Sequence, residues 1–463
     1  MRRFLLTSAL CAALGGVVPG GSALAASVTA PAEGEPVALT HVRIVDGTGA
    51  APVEDATVVI QGGRITAAGR GAEIPAGARR LDRSGDTVLP GLVSDHMHVG
   101  QYEGVTVDSR FYTRDVIMQE LGQYRRYGVT TVAALGNNAP AVFDPLRREA
   151  HAGKTPADLF GVDQGIGVPR GAPPVNVAPD QLFRPETVDE ARRDVDRMAD
   201  EGTDLVKIWV DDFDGTLPVR MKPEIIRAVV DESHKRHLRV AAHIHDLADA
   251  EHVVDAGADI IAHGVRDKAV TPEFAERLKS RGIWYIATLQ LDEAGTAWAD
   301  HAPWTETPFT LAGLSASFLA QISDPAWSAA HSHGKQADFA RSSLAMNLRN
   351  LKTLHDAGVK IGFGTDSGAM PLRVPGVAEH RELDLTVQAG LTPSEAIHIA
   401  TGNAAALLDL SDRGVIAPGM RADLLVVEGN PAADIADVHR IVETWENGTA
   451  VPGPVRQVSG ARQ

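Results

Sequence analysis

The sequence predicts an α/β protein, a (β/α)8 TIM barrel with a small composite β-sandwich domain built from both chain ends. Three observations lead there. Eight short apolar strand candidates alternate with amphipathic helical patterns through the middle of the chain. Short strands broken by glycine turns stand before that region and return after it. The length, 463 residues, exceeds an ordinary domain and suits a large barrel with an attachment. On alternation alone, a doubly wound open sheet is the competitor.

The elements follow in order. Met1-Arg2-Arg3 is a basic start, Phe4 to Val18 is apolar, and Ala23-Leu24-Ala25 is a small-x-small site. This reads as a secretory signal peptide over residues 1–25, so the expected location is periplasmic or secreted. The one cysteine, Cys11, falls inside it, so no disulfide is available to the mature chain. Residues 26–36 read as a polar tether. Ala38–Val45, Ala56–Gln61 and Arg64–Ala68 then read as strands separated by Asp46-Gly47 and Gly62-Gly63 turns. The composite domain is expected over 37–86 and 411–455, and the barrel over 87–410.

The eight barrel strands are expected at Thr87–Ser94, Thr130–Leu135, Asp158–Val162, Leu205–Val210, Arg239–Ala242, Asp259–Ala262, Trp284–Ala287 and Lys360–Gly364. Helical patterns at Asp115–Tyr127, Val188–Glu201, Pro223–Arg236 and Ala248–Ala256 lie between them. About 70 residues separate the last two strands, a length typical of a lid or pocket wall. Beyond residue 410, Gly414–Ile416, Ala422–Val427 and Ile441–Glu446 return to strand character.

Composition narrows the function. The chain is 44% hydrophobic and 22% charged, which excludes a disordered or fibrous protein. Its formal charge of −16 makes it a poor partner for nucleic acid or an anionic membrane surface. No stretch after the leader is long and apolar enough to span a bilayer.

Three His-x-His pairs occur among 17 histidines, so the motif alone says little. Position separates them. His96 and His98 follow the first strand, and alternation turns both rings to one side. His243, His263 and Asp366 each end a different strand, where a barrel gathers its active site. His331 and His333 lie in the long insertion and read as surface residues. Lys207 interrupts the apolar strand Leu205–Val210. A buried ammonium is costly and its pKa falls. The neutral amine can then form a carbamate that bridges two metals. An ordinary pairing with Asp211 or Asp212 explains the position equally well.

With these residues in view, the mature chain resembles the amidohydrolase superfamily, in particular its imidazolonepropionase-like and Xaa-Pro-dipeptidase-like members. The resemblance is carried by LPGLVSDHMH, YGVTTV at Tyr127–Val132, DLVKIWV, VAAHIHD, IIAHG, IGFGTDSG and the tail GVIAPGMRADLLVVEGNP. It implies two divalent metal ions, expected to be Zn2+. His96, His98 and Asp366 would hold the buried ion. His243 and His263 would hold the exposed one, and carboxylated Lys207 would bridge them. It implies hydrolysis of a C–N amide bond by a metal-bridging hydroxide, with Asp366 as the catalytic general acid and base. Dipeptides, N-acyl amino acids and cyclic amides are the candidate small-molecule substrates. Lactone, carbamate or organophosphate ester hydrolysis is the alternative on the same centre; a deaminase or a non-catalytic binding protein fits less well. A homo-oligomer is in keeping with the resemblance.

Substrate recognition departs from these relatives. A Thr-Gly-Gly-His-Gly run common after their third strand is replaced by Gly165-Ile166-Gly167-Val168-Pro169-Arg170. Tyr102, Arg170, His245 and Arg373 are the candidate substrate contacts; Arg110 is a further loop cation.

Overall fold

The structure is a computed structural model that describes residues 34–213 and 215–455. The expected signal peptide, residues 1–25, lies outside the described residues. No helix among those described is long and apolar enough to cross a membrane.

Eight strands run parallel in two sheets. Leu92–Met97, Val129–Leu135 and Asp158–Val162 form one sheet. Val206–Trp209, Val240–His243, Ile260–Ala262, Trp284–Ile286 and Lys360–Gly362 form the other. The sheets meet at two seams. At one, the Ile166 amide donates to the Lys207 carbonyl at 2.8 Å, and the Trp209 amide donates to the Ile166 carbonyl at 3.1 Å. At the other, the Asp95 amide donates to the Phe363 carbonyl at 2.6 Å, and the His98 amide to the Ser367 carbonyl at 2.7 Å. The arrangement is TIM-barrel-like, with the strand C-termini on one face.

Both chain ends contribute to a further, mixed sheet of eight strands. Its path runs Thr449–Pro452, Ile441–Glu446, Leu424–Glu428, Asp86–Pro90, Val37–Ile44, Val53–Gln61, Arg64–Gly69, with Arg79–Asp82 paired to Val37–Ile44 beside that path. The ends meet where Leu424–Glu428 runs antiparallel to Asp86–Pro90. Leu39, Ile65, Leu424, Val426 and Trp445 fill a core of its own, separate from the barrel core.

Three expectations change. The single strand expected at Thr87–Ser94 is two strands divided at Gly91. Residues before Gly91 pair with the C-terminal strand; Leu92 pairs with Val129 in the barrel. The crossing is tight: a Cβ on Gly91 would lie 2.2 Å from Thr130 Oγ1. Gly414–Ile416 is not a strand, while Arg79–Asp82 and Thr449–Pro452 are strands that the pattern did not announce.

The helices begin and end where their sequences allow. Thr187 and Glu190 cap Val188–Glu201 reciprocally, and Gly202 closes it in the left-handed conformation. Val188–Glu201 buries Ala191, Val195 and Met198, one apolar stripe at helical spacing. The insertion between the last two barrel strands is helical, from Leu289–Ala299 to the long helix Lys335–Asp356. Trp298 ties it to the barrel by donating from Nε1 to the Leu372 carbonyl at 2.8 Å. His331 and His333 in this insertion are exposed, as expected.

Candidate metal centre

The strand ends gather the ligand-type residues. His96 sits in Leu92–Met97 and His98 just past it; Asp366 follows Lys360–Gly362. The His96 and His98 Nε2 atoms lie 3.3 and 3.0 Å from Asp366 Oδ1. The ligand atoms of these three residues fall within 4.8 Å of one another, and all three residues are buried.

Lys207 completes this side. Its side chain is fully buried on Val206–Trp209, and Nζ lies 3.3 Å from His96 Nε2. Burial holds its ammonium well below the usual lysine range. The nearby carboxylate of Asp211 opposes that shift without cancelling it. Carbamate chemistry requires the neutral amine, and the downward shift favours that form.

His263 and His243 form the second group. The His263 ring centroid stands 4.5 Å from that of His96 and 4.3 Å from that of His243. His263 Nδ1 pairs with Thr288 Oγ1 at 3.0 Å, which leaves Nε2 for other partners. His243 Nε2 faces Asp211 Oδ2 at 3.4 Å, and His243 Nδ1 is buried without a hydrogen-bond partner. Phe213 stacks on the His243 ring at 5.0 Å.

The electrostatics favour neutral imidazoles. Burial pulls His98 down to about 3, and Lys207 and Arg373 add to that shift. Burial pulls His96 and His263 well below the usual histidine range. A neutral imidazole is the form that binds a metal. His98 Nδ1 also meets the Gly136 carbonyl at 3.2 Å, which presents Nε2 to the cluster. Buried neutral nitrogens, one carboxylate and an orphaned His243 Nδ1 match the donor set that divalent zinc takes. The residues fit a metal.

The backbone is strained here. His263, Thr288 and Asp366 hold φ of 82°, 50° and 58°, in the left-handed region that side chains disfavour.

The expected substrate contacts separate. Arg373 forms an ion pair with Asp366 Oδ2. Burial and the neighbouring Arg266 pull its guanidinium down to about 10, so it stays charged near neutrality. Tyr102 lies in the hairpin after the first strand, and burial raises its phenol above the usual range. His245 is buried; its Nδ1 bonds Asp246 at 2.8 Å and its ring stacks on Phe339 at 5.3 Å. Arg170 is exposed, and among the described residues no hydrogen bond or ion pair links it to the cluster. Asp211 beside His243 was legible in the sequence only as a partner for Lys207. The Gly136 carbonyl could not be found there at all, because every residue has one.

A family model for the amidohydrolase family matches residues 87–451. The chain belongs to the amidohydrolase family. It is therefore a hydrolase. Ochratoxinase of Aspergillus niger is 26% identical, over 87% of this chain and 84% of its own. Imidazolonepropionase of Streptomyces griseus subsp. griseus is 27% identical, over 88% of this chain and 95% of its own. The crystal structure of a putative prolidase from Bifidobacterium longum superposes with a TM-score of 0.71 at 25% identity, covering 91% of this chain and 96% of that one.

Proposed function

We propose that this amidohydrolase is an exported binuclear metal-dependent enzyme that cleaves a C–N amide bond in a dipeptide, an N-acyl amino acid or a cyclic amide. The observation that carries the reading is the convergence of His96, His98 and Asp366 beside the buried amine of Lys207. The names of the relatives, which include a prolidase, an ochratoxinase and an imidazolonepropionase, support an amide substrate. In this reading the eight parallel strands close into the barrel and the mixed sheet folds as the small sandwich beside it.

His96, His98 and Asp366 would hold one ion, and His243 and His263 the other, with Lys207 as a carbamate between them. Bound divalent ions, zinc being the best match to this donor set, would polarise the scissile carbonyl and acidify water. Asp366 removes a proton from the attacking water and returns it to the leaving amine. Its Oδ1 faces the two imidazoles while Oδ2 faces Arg373. The burial of the cluster excludes bulk water and strengthens each of these interactions. Arg373, paired with Asp366, and Tyr102 are the candidates to hold a substrate carboxylate, with His245 a further candidate contact. Arg170 lies outside this group.

The test is a panel of dipeptides and N-acyl amino acids given to the zinc-supplemented mature chain, with released amine as the readout. Amine release that disappears in Asp366→Asn supports the reading. Two bound metals with no turnover across the panel would move the substrate to esters or lactones. Export is tested by following the tagged full chain to the culture medium or periplasm; retention in the cytoplasm overturns it.

A further inference from the structure

One buried carboxylate lies behind the centre and touches none of its ligand atoms. Glu379 is fully buried, near the start of the helix Val377–Gln388. Its Oε1 accepts from Thr365 Oγ1 at 2.7 Å, Ser367 Oγ at 2.7 Å and Ser94 Oγ at 3.2 Å. Its Oε2 accepts from the Gly376 amide at 2.8 Å. Thr365 and Ser367 flank Asp366 in the chain. Ser94 stands two residues before His96 on the first barrel strand. One carboxylate therefore grips both supports of the three-residue cluster.

The place matters because the backbone pairing there is irregular. Asp366 occupies the left-handed region, and the seam joins Met97 to Ser367 by an isolated bridge instead of a continuous ladder. The Thr365 and Asp366 amides both donate to the His96 carbonyl, at 3.0 and 2.9 Å. Side chains must fix what the ladder leaves free. Ser367 also meets the Tyr124 hydroxyl at 2.6 Å; since Ser367 donates to Glu379, Tyr124 donates to Ser367. The chain Tyr124–Ser367–Glu379 runs in one direction and needs an acceptor at its end. A carboxylate accepts on both oxygens; an amide could keep its one oxygen for the hydroxyls but would turn its NH2 toward the Gly376 amide, itself a donor.

We infer that Glu379 is a positioning residue for this centre, the acceptor that fixes the Asp366 turn against the strand bearing His96 and His98. The inference rests on the functional reading above. The simpler account is a helix cap, since the Gly376 amide is one of the donors. A cap would affect stability alone. Positioning would alter how the ligands meet a metal.

The experiment compares wild type, Glu379→Gln, Ser367→Ala and Thr365→Val. The readouts are the visible spectrum of the cobalt-loaded protein, metal affinity by chelator competition, the melting temperature, and kcat and KM with a cleaved substrate. Loss of such an outer partner typically weakens metal binding by about 10–100-fold. Glu379→Gln is expected to lose affinity in that range, to change the cobalt spectrum, and to lower kcat with KM near wild type. Ser367→Ala and Thr365→Val are expected to move the same readouts less. A lower melting temperature with unchanged spectrum, affinity and kcat would leave Glu379 as a cap and overturn the inference. If Glu379→Gln does not fold, unchanged spectra and affinities in both hydroxyl variants overturn it. A wild-type chain that binds no divalent metal overturns the functional reading together with this inference. Wild-type metal binding with unaffected variants overturns this inference alone.

Discussion

Asp366 and Lys207 are fixed by opposite means. Asp366 is held by one charged partner, the Arg373 guanidinium on Oδ2, while two neutral imidazoles crowd its Oδ1. Asp366→Asn keeps the shape and removes the proton acceptor, so turnover should fall by about two to four orders of magnitude, read by initial rates at saturating substrate. Lys207 is held by burial, with its amine 3.3 Å from His96 Nε2. Lys207→Met fills the same space without an amine. Its stability should stay within roughly 1.5 kcal/mol of wild type, while on the proposed two-metal reading it binds one metal fewer per chain, measured by calorimetry and elemental analysis. The histidines predict a pH dependence. His98 falls to about 3 in the folded chain from an ordinary 6.5, so between these values the unfolded chain binds more protons. The stability it lends is present above 6.5 and drains as the pH falls. Metal-free protein should lose about 1.6 kcal/mol between pH 6.5 and pH 5 from this group alone, read by urea denaturation. Equal stability at both values would remove the histidines from that account.

At the scale of elements, close approach of backbones decides the site more than propensity does. Gly364 follows the last barrel strand, and a Cβ there would lie 2.6 Å from His96 Cβ and 2.7 Å from the His96 amide nitrogen. Backbone cannot step aside as a side chain can. Gly364→Ala should cost about 1–3 kcal/mol and weaken metal binding, seen as a lower melting temperature and easier stripping by chelator. Much of this level was legible. Seven of the eight expected barrel strands match within a few residues, because buried parallel strands read as unbroken apolar runs. The exception, Thr87–Ser94, is an apolar run serving two sheets, and hydrophobicity cannot mark where a chain changes partner. Pro90-Gly91 was the only punctuation available.

The whole molecule joins its two cores through charge at the base of the barrel. Asp158, at the start of the third strand, is buried and accepts from Arg413 at 2.7 Å and Arg421 at 3.2 Å. His151 and Arg413 overcome the burial cost and hold its carboxyl at about 2. Arg413→Ala would strand part of that charge and should destabilise by about 3 kcal/mol, with Arg421 limiting the loss; a melting curve measures it. The sequence by itself determined the barrel alternation, the contribution of both chain ends, and the ligand-type residues at the strand ends. Those follow from periodicity and residue chemistry, which are local properties. Tertiary structure decided that Arg373 meets Asp366 while Arg170 does not, that Gly136 and Thr288 orient two imidazoles, and that Glu379 reaches across the seam. Each depends on distances between residues far apart in the chain, and those distances exist only once the strands have packed around a common core.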